Sequence, residues 1–392
     1  MIESSQSDGV TGTLRYGMVG GGDGAFIGDV HRKAAALDGK CALVAGCFSR
    51  DPAVTAKTGA ALGIQQERLY ASYQEMAAAE AKREDRPDFI SIVAPNSTHF
   101  EAAKAFLERG FHIVCEKPLT LEVWQAEELQ RLANARGLLF CVMYSYSGYP
   151  LVAQARQLVR DGRIGDILMV MGEYPQDWLV DPIEKGGQKQ AAWRTDPERA
   201  GISNCTGDIG SHVEHMVAHM TGLKIDSLCA RLETIGEDRM LDTNSSILLT
   251  YEGGATGMYW SSQIAIGNDN GLKVRIYGTK GAIEWSQEEP NTMKVTFAGK
   301  PSQIYSRGHA YLYPAAASRL PSGHTEGLLE AFANIYNRFA TAVLKKKAGL
   351  ELGGDDLDFP GLAEGTDGVR FIHAAVQSAH TDSAWVRLAD IS

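Results

Sequence analysis

The chain of 392 residues is short of several features, and each shortage excludes something. No apolar run approaches the ~20 residues of a membrane span. The six cysteines, at 41, 47, 115, 141, 205 and 229, never take a C-x-x-C spacing. That argues against a zinc ribbon or a disulfide framework and fits a reducing cytoplasm. Basic charge is scarce: 38 Lys and Arg against 48 Asp and Glu give a balance of −10. Nucleic acid and anionic membrane are therefore poor partners, although an anionic cofactor needs only a local pocket. Internal repeats and low-complexity segments are absent. Residues 1–13 have neither the basic start nor the apolar core of a signal peptide and read as a loose tail. The remaining composition, 44% hydrophobic and 22% charged, is that of a soluble globular protein.

Residues 14–143 alternate strand and helix signals, the pattern of a parallel, doubly wound sheet. Leu14 to Val19 reads as a first strand, Gly20 to Gly28 as a glycine-rich loop and Asp29 to Leu37 as a helix. Strand, glycines and helix start together make a phosphate cradle, because the backbone comes close and the helix offers free N–H groups. Gly20 and Gly22 fit a G-x-G-x-x-G spacing. The third glycine is either Gly28, after a longer gap, or Gly24, one residue early. Candidate cofactor contacts in this loop are Gly20, Gly22, Asp23, Ala25, Phe26 and Ile27.

A second strand, Ala42 to Phe48, ends at Ser49 and Arg50, where an NAD site usually carries an acidic residue for the ribose 2′-OH. A hydroxyl and a guanidinium suit a 2′-phosphate, so NADP is expected, with NAD as the alternative and Asp51 one residue away. Asp88 to Ala94 is a continuous apolar strand ending at Pro95 and Asn96. Thr98 and Glu101 have the spacing of a capping box opening the helix 100–109. The strand 111–114 then runs into Cys115-Glu116-Lys117-Pro118. A lysine at the carboxyl end of such a strand points into the crevice where open α/β sheets bind ligands. Pro95, Asn96, His99, Glu116 and Lys117 complete the candidate cofactor contacts.

Residues 144–392 read as an α+β domain with a largely antiparallel sheet. Strands are expected at 166–174, 227–234, 246–250, 256–262, 273–277 and 293–297. An amphipathic helix is expected over 323–344, with Leu328, Leu329, Phe332, Ile335, Phe339 and Val343 on one stripe. Asp208 and His212 lie four apart at a helix start, so they share a face. That suits a histidine exchanging a proton near neutral pH with a carboxylate adjusting it. His212, His215 and His219, with Asp208 one turn earlier, leave a zinc reading open, but no cysteine or second carboxylate cluster completes it, and no metal is expected.

Taken together, the chain resembles the Gfo/Idh/MocA oxidoreductases from about Leu14 to the C-terminus. The landmarks are the glycine loop with His31, Ala94-Pro95-Asn96 with His99, Glu116-Lys117-Pro118, and Gly207-Asp208-Ile209-Gly210-Ser211-His212. The resemblance implies a Rossmann domain joined to a domain with a large, mostly antiparallel open sheet, and dimers or tetramers built through that sheet. It also implies nicotinamide-dependent oxidation of a sugar or polyol hydroxyl, with Lys117, Asp208 and His212 matching the catalytic trio. Three departures stand out: about three extra residues in the loop, Gly24 to Phe26; no acidic residue directly after the second strand; and Tyr144 to Tyr149 where an arginine-rich stretch commonly follows the sixth strand.

The residues suit that chemistry on their own terms. Oxidising a secondary alcohol needs a hydride acceptor at the C–H and a base at the O–H, for which His212 is the candidate. Asp208 is expected to orient it or hold a neighbouring hydroxyl, and Lys117 to stabilise the developing alkoxide. Polyols need hydrogen-bonding groups and flat surfaces, so the stretches 173–178 and 192–194 are expected to line the pocket through Gln176, Trp178, Trp193 and Arg194, with Tyr146 at its rim. The competing readings are a dinucleotide-binding sensor without catalysis and a metal-dependent hydrolase or isomerase.

Overall fold

The computed structural model describes residues 10–392. Of the expected tail, residues 1–9 lie outside the described residues. Val10 packs on the core, and the Thr13 hydroxyl donates to the Gly39 carbonyl at 3.1 Å.

The first sheet contains β1 (Leu14–Gly20), β2 (Cys41–Cys47), β3 (Phe89–Val93), β4 (His112–Cys115) and β5 (Phe140–Val142), all parallel, in the order β2-β1-β3-β4-β5. Every residue of β3 is buried, as its unbroken apolar run requires of a strand covered on both faces. The helices α1 (Phe26–Leu37), α2 (Pro52–Ala61), α3 (Tyr73–Glu80), α4 (His99–Leu107) and α5 (Val123–Ala135) connect the strands. The sequence reading had no counterpart for α3. The capping box at Thr98 does not form: Asn96–Thr98 make a 3-10 turn, Thr98 has helical dihedrals, and its side chain makes no cap bond.

The second sheet holds nine strands: β6 (Ile167–Pro175), β7 (Ile225–Glu233), β8 (Asn244–Tyr251), β9 (Thr256–Ser262), β10 (Lys273–Gly278), β11 (Gly281–Ser286), β12 (Thr292–Phe297), β13 (Gln303–Ser306) and β14 (Val386–Arg387). All neighbours are antiparallel except β6 and β9. The sequence reading missed β11, β13 and β14. The helices of this half are α6 (Pro150–Arg160), α7 (Lys189–Arg194), α8 (Pro197–Ala200), α9 (Ser211–Thr221), α10 (Leu328–Lys347) and α11 (Leu362–His380). Of these, α9 and α11 pack on one face of the sheet. On the opposite face Met169, Leu248 and Met258 are exposed.

By packing, α10 belongs to the first sheet. Phe332, Ile335, Tyr336, Phe339 and Val343 share a buried cluster with Tyr16, Phe89 and Val114, while Leu329, expected on the same stripe, is exposed. Each such side chain contributes about 1.5–3 kcal/mol of burial. The chain thus leaves the first layer at residue 143 and returns to cover it, which fixes the two halves against each other. Among the described residues no helix is long and apolar enough to cross a membrane, and all six cysteines are unpaired.

Candidate active site

The carboxyl ends of β1 to β5 open on a cavity of about 1420 Å³ that runs on between the two halves. This exceeds the ~300–1,000 Å³ that houses a single small ligand. One wall carries Gly20, Gly22, Phe26, Ser49, Arg50, Pro95, Asn96, Glu116 and Lys117. The other carries Tyr146, Gln176, Trp178, Trp193, Arg194, Asp208 and His212.

Packing decides the third glycine. A Cβ on Gly28 would lie 2.4 Å from the Gly21 Cα, so α1 can meet the loop only with glycine there. Gly24 (φ +76°) has nothing near its missing Cβ, so the loop turns outward at Asp23 and Gly24, and Ala25, Phe26 and Ile27 lie on the cavity wall. Asp23 goes with the outward turn. Its carboxylate pairs with Lys57 at 2.6 Å on the surface, so it is not on the cavity wall where the sequence placed it.

At the end of β2, Asp51 caps α2 by accepting from the Ala53 N–H at 2.9 Å, and it does not line the cavity. Arg50 lines the cavity and has no bonded partner among the described residues. His99 corrects another expectation. It is fully buried behind the wall, its ring nitrogens 2.9 Å from the carbonyls of Ala94 and Pro118. It ties the ends of β3 and β4 together and contacts no ligand space.

Lys117 donates to the Asp208 carbonyl at 2.6 Å and to Asp208 Oδ1 at 3.0 Å. An ammonium has three N–H donors, so one remains for a ligand. Asp208 Oδ2 accepts from Arg194 Nε at 3.1 Å and Gln263 Nε2 at 3.2 Å. Burial opposes ionisation of Asp208, but Arg194 and Lys117 outweigh it and hold the carboxyl far below its usual range. Asp208 therefore orients Lys117. It makes no hydrogen bond to His212, because the turn Thr206–Gly210 is π-helical and alters the expected helical pairing. Burial and then the Lys117 charge push the His212 pKa well below its ordinary value against the pull of Asp208, so the imidazole is neutral at neutral pH. Its ring lies 4.6 Å from the Tyr146 ring and 6.1 Å from the Tyr174 ring, centroid to centroid.

Behind Lys117 lies a buried relay. His31 Nε2 is 2.7 Å from Glu116 Oε1, and its Nδ1 is 2.7 Å from the Tyr336 hydroxyl, which also meets Ser91 Oγ at 3.0 Å. Burial alone would raise the Glu116 carboxyl, but the His31 hydrogen bond and the Lys117 charge hold it below its ordinary value.

The wall opposite the glycines is a hydrogen-bonded patch. The Tyr146 and Tyr174 hydroxyls are 2.6 Å apart, and Asn270 Oδ1 accepts from Tyr174 at 2.5 Å and from Gln176 Nε2 at 2.8 Å. The Arg194 guanidinium lies over Trp193, 4.4 Å from the ring centroid, and over Trp178 at 5.9 Å. The residues expected at 192–194 are thus present, but Arg194 is already committed to Asp208. Glu173 faces away and pairs with Arg275 at 3.2 Å.

The zinc reading fails on geometry. Buried His215 stacks on Tyr144 with centroids 4.2 Å apart, and half-buried His219 stacks on His215 at 5.6 Å. Burial lowers both pKa values, that of His215 to about 3. Among the described residues no group of three or more His, Cys, Asp or Glu is placed to hold a metal ion.

Residues 14–144 match the oxidoreductase family with an NAD-binding Rossmann fold, and residues 152–284 match the GFO/IDH/MocA C-terminal domain. An uncharacterized oxidoreductase of Bacillus subtilis, YfiI, is 39% identical over 95% of this chain and 96% of its own length. The chain belongs to the Gfo/Idh/MocA oxidoreductase family. An inositol dehydrogenase homolog from Azotobacter vinelandii, solved with NAD+, is 38% identical over 97% of this chain and 99% of its own, with a TM-score of 0.93. The levoglucosan dehydrogenase of Pseudarthrobacter phenanthrenivorans is 28% identical over 97% of this chain and 99% of its own.

The residues of this Gfo/Idh/MocA member fit a dinucleotide. The close Gly21–Gly28 contact brings the start of α1, with its free N–H groups, to the cavity floor. Sequence reasoning missed Gln263 and Asn270. Asn270 had a local signal, the turn-forming run Gly267-Asn268-Asp269-Asn270-Gly271. Gln263, just past the end of β9, had none.

Proposed function

We propose that this protein oxidises a secondary hydroxyl of a sugar or cyclitol, or reduces the matching ketone, with a nicotinamide dinucleotide bound on the first sheet. The observation that carries the reading is that Lys117, on the wall that bears the glycine cradle, and His212, on the wall opposite, line one cavity. The bound cofactor supplies the hydride acceptor. His212, neutral and free of hydrogen-bonded neighbours among the described residues, takes the hydroxyl proton. The spare N–H of Lys117 holds the oxygen as negative charge develops on it. Asp208 fixes that ammonium, and the Tyr146, Tyr174, Asn270 and Gln176 patch with the two tryptophans supports a polyhydroxylated ring. Nicotinamide reduction on mixing the protein with a dinucleotide and a panel of inositols, hexoses and anhydrosugars tests the reading. Binding of neither dinucleotide would sink it.

The unpaired Arg50 at the end of β2, with Asp51 engaged as a cap, favours a dinucleotide carrying a 2′-phosphate. The exposed apolar side chains of the second sheet, Met169, Leu248 and Met258, suit burial against a second copy of the chain. Sedimentation showing monomers alone at working concentration would contradict that assembly.

A further inference from the structure

A second cavity, of about 640 Å³, opens beside the first and shares Asp269, Asn270 and Leu328 with it. We propose that it is a subsite for a second sugar ring, so that the preferred substrate is a glycoside whose other ring lies at His212. The proposal rests on the sugar- or cyclitol-oxidising reading above.

Continuity is the first argument. Asn270 Oδ1 faces Tyr174 and Gln176 in the reaction cavity, while its Nδ2 donates to Gln287 Oε1 at 2.8 Å on the wall of the second. Gln287 Nε2 in turn donates to the Tyr149 hydroxyl at 3.3 Å. One row of amides and tyrosines thus runs from one cavity into the other. Side-chain amides offer a donor and an acceptor together, which matches neighbouring hydroxyls on a sugar ring.

The second argument is an unmet polar atom. Glu326 lines the second cavity and is only 3% exposed. Its Oε1 accepts from the Leu320 N–H at 2.7 Å and from Arg307 at 3.2 Å, but Oε2 is buried with no partner among the described residues. A buried carboxylate oxygen without a donor is costly, and a turn of the Glu326 side chain that brings Oε2 to the cavity surface lets a ligand hydroxyl relieve it. Asp269 and Glu288 add two more carboxylates to the lining. The wall is therefore rich in acceptors, which selects a ring carrying hydroxyl donors and rejects phosphorylated or acidic sugars. The volume lies within the ~300–1,000 Å³ typical of ligand pockets.

Thr325, exposed at the rim and bonded to nothing among the described residues, allows a clean test. Thr325→Trp puts an indole into the second cavity from a position that does not itself line the first. The dinucleotide-loaded protein is assayed on myo-inositol against galactosyl-myo-inositol, and on glucose against maltose and cellobiose. At least one glycoside is expected to exceed its parent by about tenfold or more in kcat/KM, and T325W is expected to erase that advantage while leaving the parent rate unchanged. Parents oxidised with no glycoside preferred, or a preference that survives the plug, would overturn the subsite. If nothing in the panel is oxidised, the dehydrogenase reading fails by itself. Saturation-transfer NMR then still decides the subsite: contact with the distal ring, lost in T325W, supports it, and no contact in either protein refutes it.

Discussion

Lys117→Met removes one ammonium from the centre of the site and leaves most of the surroundings in place. Asp208 keeps Arg194 at 3.1 Å and Gln263 at 3.2 Å, so its carboxylate stays paired and the fold is retained. What disappears is the one lysine donor not already spent on Asp208. A donor aimed at a developing oxyanion is worth about 10²–10³ in kcat, or about 2.7–4 kcal/mol. Loss of the cation also relaxes one of the influences that depress His212, so its pKa rises towards the ordinary value. The assay is the initial rate of nicotinamide reduction, alongside dinucleotide titration and thermal unfolding. The expected result is a kcat lower by about 10²–10³, a melting temperature within about 4 °C of the parent, and dinucleotide binding retained. Lys117→Arg is expected not to restore the rate, because a planar fork does not replace a compact ammonium with three rotatable donors. A kcat close to the parent's, with the protein folded and dinucleotide bound, refutes the assigned role.

Other outcomes follow from the same geometry. Arg50→Glu is expected to weaken NADPH binding by about tenfold or more while sparing NADH; equal loss of both in a fluorescence titration would remove Arg50 from cofactor choice. Gly28→Ala forces a methyl group against the Gly21 backbone, at a cost of about 1–3 kcal/mol; unchanged melting and dinucleotide affinity would show that the loop and α1 are not coupled there. Glu214 is buried near Asp367, and burial followed by that charge raises its pKa from 4.5 to about 8. The folded state therefore holds a proton that the unfolded chain gives up, and the stability this confers is full below the unfolded pKa and lost as pH rises towards 8. Glu214→Gln is expected to raise the melting temperature at the alkaline end of that window, by a free energy of up to ~4 kcal/mol, and to change little in acid. A melting difference independent of pH would contradict the assignment.

The local signals in the sequence were good guides where structure is local. The unbroken apolar run of β3, the Gly-rich turn before α1 and the lysine after β4 all depend on neighbouring residues, and they placed the cavity mouth. Long-range pairings left no such trace. Tyr336 reaches His31 across 305 residues, so nothing near α10 announced that it covers the first sheet. Gln263 meets Asp208 across 55 residues, and the expected Asp208–His212 contact gave way to Lys117, Arg194 and Gln263 once the backbone took a π-helical turn. Asp23 and His99 show the opposite error. Each sits in the right motif, but Lys57 draws Asp23 outward and two carbonyls hold His99 inside. The edge strands β13 and β14 are only four and two residues long, too short to show a period.

The central claim is that one cavity binds a nicotinamide dinucleotide and a polyol and that His212 moves the proton between them. Its most direct test is a single-turnover mixing of dinucleotide-loaded protein with a substrate from the polyol panel, comparing the parent with His212→Ala. The account predicts a burst of reduced nicotinamide in the parent, a rate flat down to mildly acid pH because His212 is already neutral there, and loss of the burst in H212A with dinucleotide still bound. A burst of equal rate in H212A would contradict it.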